Sequence, residues 1–183
     1  MINKIFLEEK NVEKVSNDIV KKSIIKIDNF LDSYSKMKEK ISKLKFIEKR
    51  VPDKFSYSEA KSSFFKNLFN SSEFIDYMGR ISGVDFKKVD VKVLKFRHKN
   101  YTLMHDSYKE KNEFHFVLFF CDGWDVKYGG NKVIIKGEKN FVLTPSGNSL
   151  VFFRLDERDR EFFQYIKHFT GKSEFFVIEG SLK

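Results

Sequence analysis

The residues best suited to chemistry lie between Tyr101 and Ser107, where the sequence reads YTLMHDS. His105 and Asp106 stand side by side at the predicted end of a strand. An imidazole and a carboxylate are common ligands of divalent transition metals. A metal needs further ligands, and the chain has only 4 histidines and a single cysteine, Cys121. An internal disulfide framework and a cysteine-type zinc site are therefore excluded.

The composition predicts one folded domain. The chain has 183 residues, of which 41% are hydrophobic and 16% aromatic, which is typical of a globular protein with a sizeable core. Its net charge of +9 favours acidic partners such as RNA, ribosome surfaces or acidic proteins, although a lysine-coated soluble protein has the same charge. No apolar stretch approaches the roughly 20 residues of a membrane span, and the N-terminus is charged, so we expect a cytoplasmic protein.

The first half of the chain reads mainly as helices. Residues 1–22 suit either an amphipathic helix from Val12 or a loosely attached arm, and residues 23–27 read as a short strand. Apolar residues at three- and four-residue intervals then predict three helices. These helices cover residues 34–44, about 58–69, and 72 to the stop at Gly83.

The second half reads as strands. From Val89 onward apolar and charged residues alternate, which is typical of strands that are buried on one face. The predicted strands are 89–93, 114–120, 131–136, 141–144, 149–155 and 174–179, whereas 161–169 fits a helix or a strand. We predict an α+β single domain over 1–183, with an arm or helix at 1–22, mainly helical support at 23–88 and a jelly-roll barrel, or double-stranded β-helix, at 89–183.

Several short motifs, taken in order, resemble those of the prolyl-hydroxylase-like 2-oxoglutarate/Fe(II) oxygenases. The motifs cover about residues 23–180 and read IDNFL at 27–31, SEFI at 72–75, ISGV at 81–84, W…GG at 124–130 and PSGNSLVFF at 145–153. The resemblance implies a jelly-roll barrel that holds Fe(II) between two histidines and one carboxylate. It also implies a basic residue that binds the distal carboxylate of 2-oxoglutarate.

The resemblance assigns the metal site only in part. His105 matches the first ligand, but Ser107 stands at the carboxylate position and Asp106 is displaced by one residue. The second histidine is expected near residues 163–164, which are Phe and Gln, and His168 follows five residues late. Lys172 is the candidate for binding the oxoacid. An active site would therefore use His105, Asp106 and His168 for the metal and Lys172 for 2-oxoglutarate.

A closer resemblance is to the second, C-terminal barrel of the ribosomal-protein prolyl hydroxylases, on the motifs around residues 95–104, 150–154 and 163–167. That barrel lacks iron ligands and is thought to bind or scaffold. Our leading hypothesis is a non-catalytic oxygenase-fold protein that binds a protein or ribonucleoprotein, for example one of the translation machinery, and no cofactor is expected. An interior filled by Phe163 and other aromatic residues would favour this hypothesis.

Two alternatives stay open. The first is an active hydroxylase of a protein or small molecule that uses Fe(II) and 2-oxoglutarate. The second is an RNA-binding protein, since a basic stretch could contact phosphates. This stretch comprises Lys87, Lys88, Lys92, Lys95, Arg97 and Lys99.

Overall fold

The computed structural model of the protein describes residues 1–103 and 113–183. The helices are α1 (Glu9–Lys22), α2 (Tyr34–Ser42), α3 (Ser63–Phe69) and α4 (Ser72–Ser82), with short 3-10 helices at Lys4–Leu7, Val126–Tyr128 and His168–Thr170. The strands are β1 (Ile24–Asp28), β2 (Ile47–Val51), β3 (Phe55–Ala60), β4 (Val89–Arg97), β5 (Tyr101–Thr102), β6 (Glu113–Phe120), β7 (Lys132–Lys136), β8 (Lys139–Leu143), β9 (Ser149–Leu155), β10 (Arg160–Phe163) and β11 (Glu174–Leu182).

The described strands form two antiparallel sheets. The large sheet has eight strands in the order β1-β9-β6-β11-β4-β3-β2 with β5 beside β3, and the small sheet has the order β10-β7-β8. Successive side chains of a strand point to opposite faces. In β11, Phe175 and Val177 therefore join the cluster between the two sheets, whereas Phe176 and Ile178 join the cluster beneath the helices. The predicted α+β jelly roll with helices packed on one face is confirmed.

The helices cover the outer face of the large sheet. Residues 1–22 form a 3-10 helix and then α1, which buries Val12 and Ile19 and packs along α4. The helix α4 ends where Gly83 adopts a left-handed conformation with φ of 72°, which a glycine reaches without strain. No helix within the described ranges is both long enough and apolar enough to cross a membrane.

The predicted helix over about 58–69 is wrong in its first part. Residues 55–60 form β3, which pairs with the exposed strand β2 on one side and with β4 on the other. The helix α3 begins only at Ser63, where the hydroxyl of Ser62 accepts a hydrogen bond from the Phe65 N–H at 3.3 Å. Residues 23–88 therefore supply three strands of the large sheet as well as three helices.

Candidate functional site at one end of the barrel

The strand β5, which precedes His105 in the sequence, and the end of β10 lie side by side at one end of the barrel. The strand β5 ends at Thr102, and β10 ends at Phe163. The backbone N–H of Phe163 donates to the Thr102 hydroxyl at 2.7 Å, so the two strands are neighbours. His105 and Asp106 themselves lie outside the described residues, and their role as ligands stays a prediction.

Aromatic rings fill the space between the sheets at this end. The fully buried ring of Phe163 lies 4.4 Å from that of Phe96, measured between ring centroids. Phe175 lies 5.3 Å from Phe96, 4.7 Å from Trp124 and 6.4 Å from Phe119. Such close, angled pairs are a favourable way to bury aromatic rings. We call these five residues the aromatic end.

The described residues here do not fit the iron and oxoacid that the resemblance implies. At the expected position of the second histidine, the Phe163 ring is buried, and the Gln164 side-chain oxygen accepts from the Asn131 amide at 2.8 Å. Within residues 1–103 and 113–183, no group of three or more His, Cys, Asp or Glu side chains could hold a metal ion. The interior positions of β11 at this end hold Phe175 and Val177 rather than a cation.

The structure places His168 and Lys172 on the surface between β10 and β11. His168 begins a 3-10 helix, is exposed, and has its ring 4.0 Å from that of exposed Phe169. Lys172 is exposed in the turn just before β11. The side chain of Ile166, just before this segment, is buried, and its N–H donates to the Asn100 carbonyl at 3.0 Å. The three residues that follow Ile166 therefore lie on the surface.

The W…GG motif packs against the segment around Tyr165 that borders this end. The Trp124 indole N–H donates to the Gly129 carbonyl at 2.9 Å. Gly129 has a φ of 76°, and a Cβ atom there would lie 2.2 Å from the Tyr165 carbonyl oxygen. Only glycine allows this approach. The motif therefore fixes the segment around Tyr165 and Ile166 that closes the aromatic end.

A cleft of about 560 Å³ opens outside the aromatic end. Its walls include Tyr101, Leu103, Val126, Phe162 and Tyr165. Leu103, Val126 and Tyr165 are 44%, 61% and 50% exposed. Apolar side chains gathered around one concave surface mark a contact site for another molecule.

The cations of the basic stretch do not share one face. Alternation along β4 directs Lys92 towards the interior of the barrel, where it lines a pocket with Glu179, and directs Lys95 to the outer side, beside Phe46. Most of these cations have an acidic neighbour, and the pairs are Lys87–Asp85, Lys88–Asp90, Lys95–Glu174 and Arg97–Glu48.

A second, basic pocket of about 290 Å³ adjoins the cleft. Arg50, Arg97, His98 and Lys99 line it, together with Glu48, Ser56, Asn100, Tyr101 and Tyr165. Glu48 lies 3.6 Å from Arg97. Arg50 and Lys99 have no ion-pair partner in the part of the chain that the structure describes.

The part of the barrel interior next to the Phe163 ring is charged. The buried ammonium group of Lys132 lies 2.7 Å from Glu179 and 3.1 Å from Glu161, and 4.5 Å from the centroid of the Phe163 ring. Burial alone lowers the pKa of Lys132, but the two carboxylates outweigh it and hold that pKa above its ordinary value. We call Lys132, Glu161, Glu179 and His115 the charged end.

Sequence reasoning missed this cluster. Beyond it lies a small pocket of about 150 Å³ that His115, Glu161 and Glu179 line. The one signal was a lysine at position 132, in a run of apolar residues that was predicted to be a strand. Its two partners stand on strands that only the fold brings together.

Comparison with known proteins agrees with this architecture. A prolyl-4-hydroxylase from Pseudomonas putida matches with a TM-score of 0.73 and 10% identity, over 94% of this chain and 98% of that one. A prolyl hydroxylase from Trichoplax adhaerens, solved with a peptide of hypoxia inducible factor, matches with a TM-score of 0.70 and 14% identity, over 98% and 91%. No protein-family model matches the sequence.

One curated relative is similar over part of the chain. Prolyl 3-hydroxylase OGFOD1 of Mus musculus is 40% identical over 80 residues, which are 40% of this chain and 14% of that protein. The chain thus corresponds to a small part of that relative's length. The fold of this chain is that of the prolyl-hydroxylase-like 2-oxoglutarate/Fe(II) oxygenases, as its motifs predicted.

Proposed function

We propose that this chain is a non-catalytic oxygenase-fold protein that binds a protein or ribonucleoprotein partner. The observation that carries the proposal is the buried ring of Phe163, packed against Phe96 in the cluster that Phe175 joins. It stands where the resemblance expects a metal-binding histidine. A phenyl ring supplies no ligand atom.

The cleft beside the aromatic end also supports binding without catalysis. The cleft and its exposed apolar rim remain available to a partner. The resemblance to the second barrel of ribosomal-protein prolyl hydroxylases and the partial likeness to prolyl 3-hydroxylase OGFOD1 favour a partner in translation. A cytoplasmic location stays a prediction.

Anaerobic calorimetry tests the proposal. Mn(II), as a stand-in for Fe(II), is titrated into the protein with and without 2-oxoglutarate, and the same titrations are made on His105→Ala. We expect no saturable heat in any of them, because the phenyl ring of Phe163 stands where the resemblance expects the second histidine. Micromolar binding that needs both His105 and 2-oxoglutarate would contradict the proposal and would favour an active hydroxylase.

A further inference from the structure

The cleft and the basic pocket form one groove. Both hollows are lined by Tyr101 and Tyr165, whose ring centroids are 6.1 Å apart. Tyr165 is half exposed and stands on the ridge between the two hollows. A ligand that lies across this ridge would contact an apolar surface on one side and cations on the other.

Two cations of the groove, Arg97 and Lys99, are held on a rigid turn. The buried Asn100 side chain accepts from the Arg97 N–H at 2.9 Å and donates to the Ser56 hydroxyl at 3.1 Å. The Lys99 N–H donates to the Ile166 carbonyl at 3.1 Å. The backbone that carries the cations is therefore fixed before a ligand arrives, which reduces the entropy lost on binding.

The charge of the groove selects an anionic ligand. Arg50, Arg97 and Lys99 carry positive charge around the basic pocket, against the single carboxylate of Glu48. Because a guanidinium group binds a carboxylate through two parallel hydrogen bonds, Arg50, which has no ion-pair partner within residues 1–103 and 113–183, is suited to an acidic side chain.

We infer that this groove docks an extended acidic segment of a partner protein. Acidic side chains lie in the basic pocket, and a neighbouring apolar side chain enters the cleft beside Leu103 and Val126. The inference rests on the proposed function and names the chemistry of its partner. A nucleic acid fits less well, because its phosphates need cations along the whole path. Here Arg50, Arg97 and Lys99 gather around the basic pocket, whereas in the cleft Lys167 is accompanied by the carboxylate of Asp53.

The test measures fluorescence anisotropy with a short fluorescein-labelled peptide in which glutamates precede one leucine. We expect binding that Arg50→Glu weakens at least about tenfold, since the substitution sets like charges against each other. The matched control is Lys49→Glu, which changes the net charge equally on the same exposed strand but outside the pocket lining. We expect this control to weaken binding by about twofold or less.

A second variant tests the apolar side of the groove. Tyr165→Ala should weaken binding of the peptide that contains leucine and should not change binding of a peptide in which glycine replaces that leucine. Because Tyr165 is half exposed, the substitution should not disrupt the fold. The inference would be overturned if Arg50→Glu and Lys49→Glu lost the same amount of peptide affinity, or if the protein did not bind the peptide at all. Tighter, Arg50-dependent binding of a single-stranded RNA oligonucleotide would also overturn it.

The two proposals fail separately. Metal and oxoacid binding in calorimetry would remove the proposed function whatever the peptides do. Absence of metal binding together with absence of peptide binding would remove only the acidic-segment inference.

Discussion

The two ends of the barrel interior are built from the same strands but hold opposite chemistry. In β10, Phe163 belongs to the aromatic end and Glu161, two residues earlier, to the charged end, and in β11 the corresponding residues are Phe175 and Glu179. The two ends meet where the Lys132 ammonium lies 4.5 Å from the Phe163 ring. The aromatic end is closed, with rings in direct contact. The charged end keeps a small pocket beside its ion cluster.

The difference shows which part of the interior has room for polar chemistry. In the resemblance, the iron and its oxoacid occupy the end near residues 105 and 163, and in this chain the Phe163 ring is buried there among other aromatic rings. The buried charges adjoin it, with the Lys132 ammonium 4.5 Å from the Phe163 ring and paired with Glu161 and Glu179. The polar groups of the interior are therefore bound to one another in an ion cluster.

The largest expected effect comes from emptying the aromatic end. Phe163→Ala removes a fully buried ring and should lower the free energy of unfolding by about 4 kcal/mol. Urea denaturation followed by the fluorescence of Trp124, the single tryptophan, measures it. The control is Phe169→Ala, at a ring that is 57% exposed, where little change is expected. If both variants lost a similar amount of free energy of unfolding, the aromatic end would not be tightly packed.

A somewhat smaller effect is expected at the charged end. Lys132→Met leaves Glu161 and Glu179 without their shared cation and should cost about 3 kcal/mol, as removal of one partner from a buried ion pair does. Neutralising both acids in the same variant, with Glu161→Gln and Glu179→Gln, should restore much of the loss. Lys139→Met, at an exposed lysine of β8, is the control. If the triple variant is no more stable than Lys132→Met, the cluster is not held by charge.

The smallest expected effect is a change of stability with pH, which should occur at the charged end and not at the aromatic end. The ordinary pKa of a lysine is 10.5, and folded Lys132 keeps its proton to a higher pH. A group whose pKa is raised on folding stabilises the protein fully below the unfolded value and loses that contribution as the pH rises through the folded value. The stability difference between the protein and Lys132→Met should therefore stay constant from about pH 7 to pH 9 and shrink above about pH 10.5. The difference for Phe163→Ala should not change over that range, and a parallel decline would contradict the assignment.

Elements with a strong apolar period could be predicted from the sequence. The strands β4, β6 and β9 alternate or run apolar for their whole length, and the helix α4 has a regular apolar face. The strand β2 could not be predicted, because all five of its residues are exposed and its pairing with β3 fixes it. The helix assigned from residue 58 failed because residues 58–60 contain a single apolar residue, Ala60, and so carry no period of their own, and their pairing with β4 makes them a strand.

The motifs pointed to a metal site at His105 and Asp106, with a second histidine expected near residues 163–164. The structure joins Thr102 and Phe163 by a hydrogen bond, while the assignment of the ligands stays a prediction. The Lys132 cluster depends on contacts between residues far apart in the chain, for which a single sequence carries no signal. The exposed positions of His168 and Lys172 depend on how the chain leaves Ile166, which is again set by tertiary contacts.

The central claim, that the family's metal-binding end is closed in this protein, is tested most directly by NMR at Trp124. Its indole N–H gives one isolated signal, because the chain has a single tryptophan, and that ring packs on Phe175 in the aromatic end. Under anaerobic conditions, Mn(II) and 2-oxoglutarate are added to the 15N-labelled protein. We predict that the indole signal keeps its position and its intensity. Loss of the signal at less than one equivalent of Mn(II), reversed by a chelator, would place a metal beside the aromatic end and contradict the account.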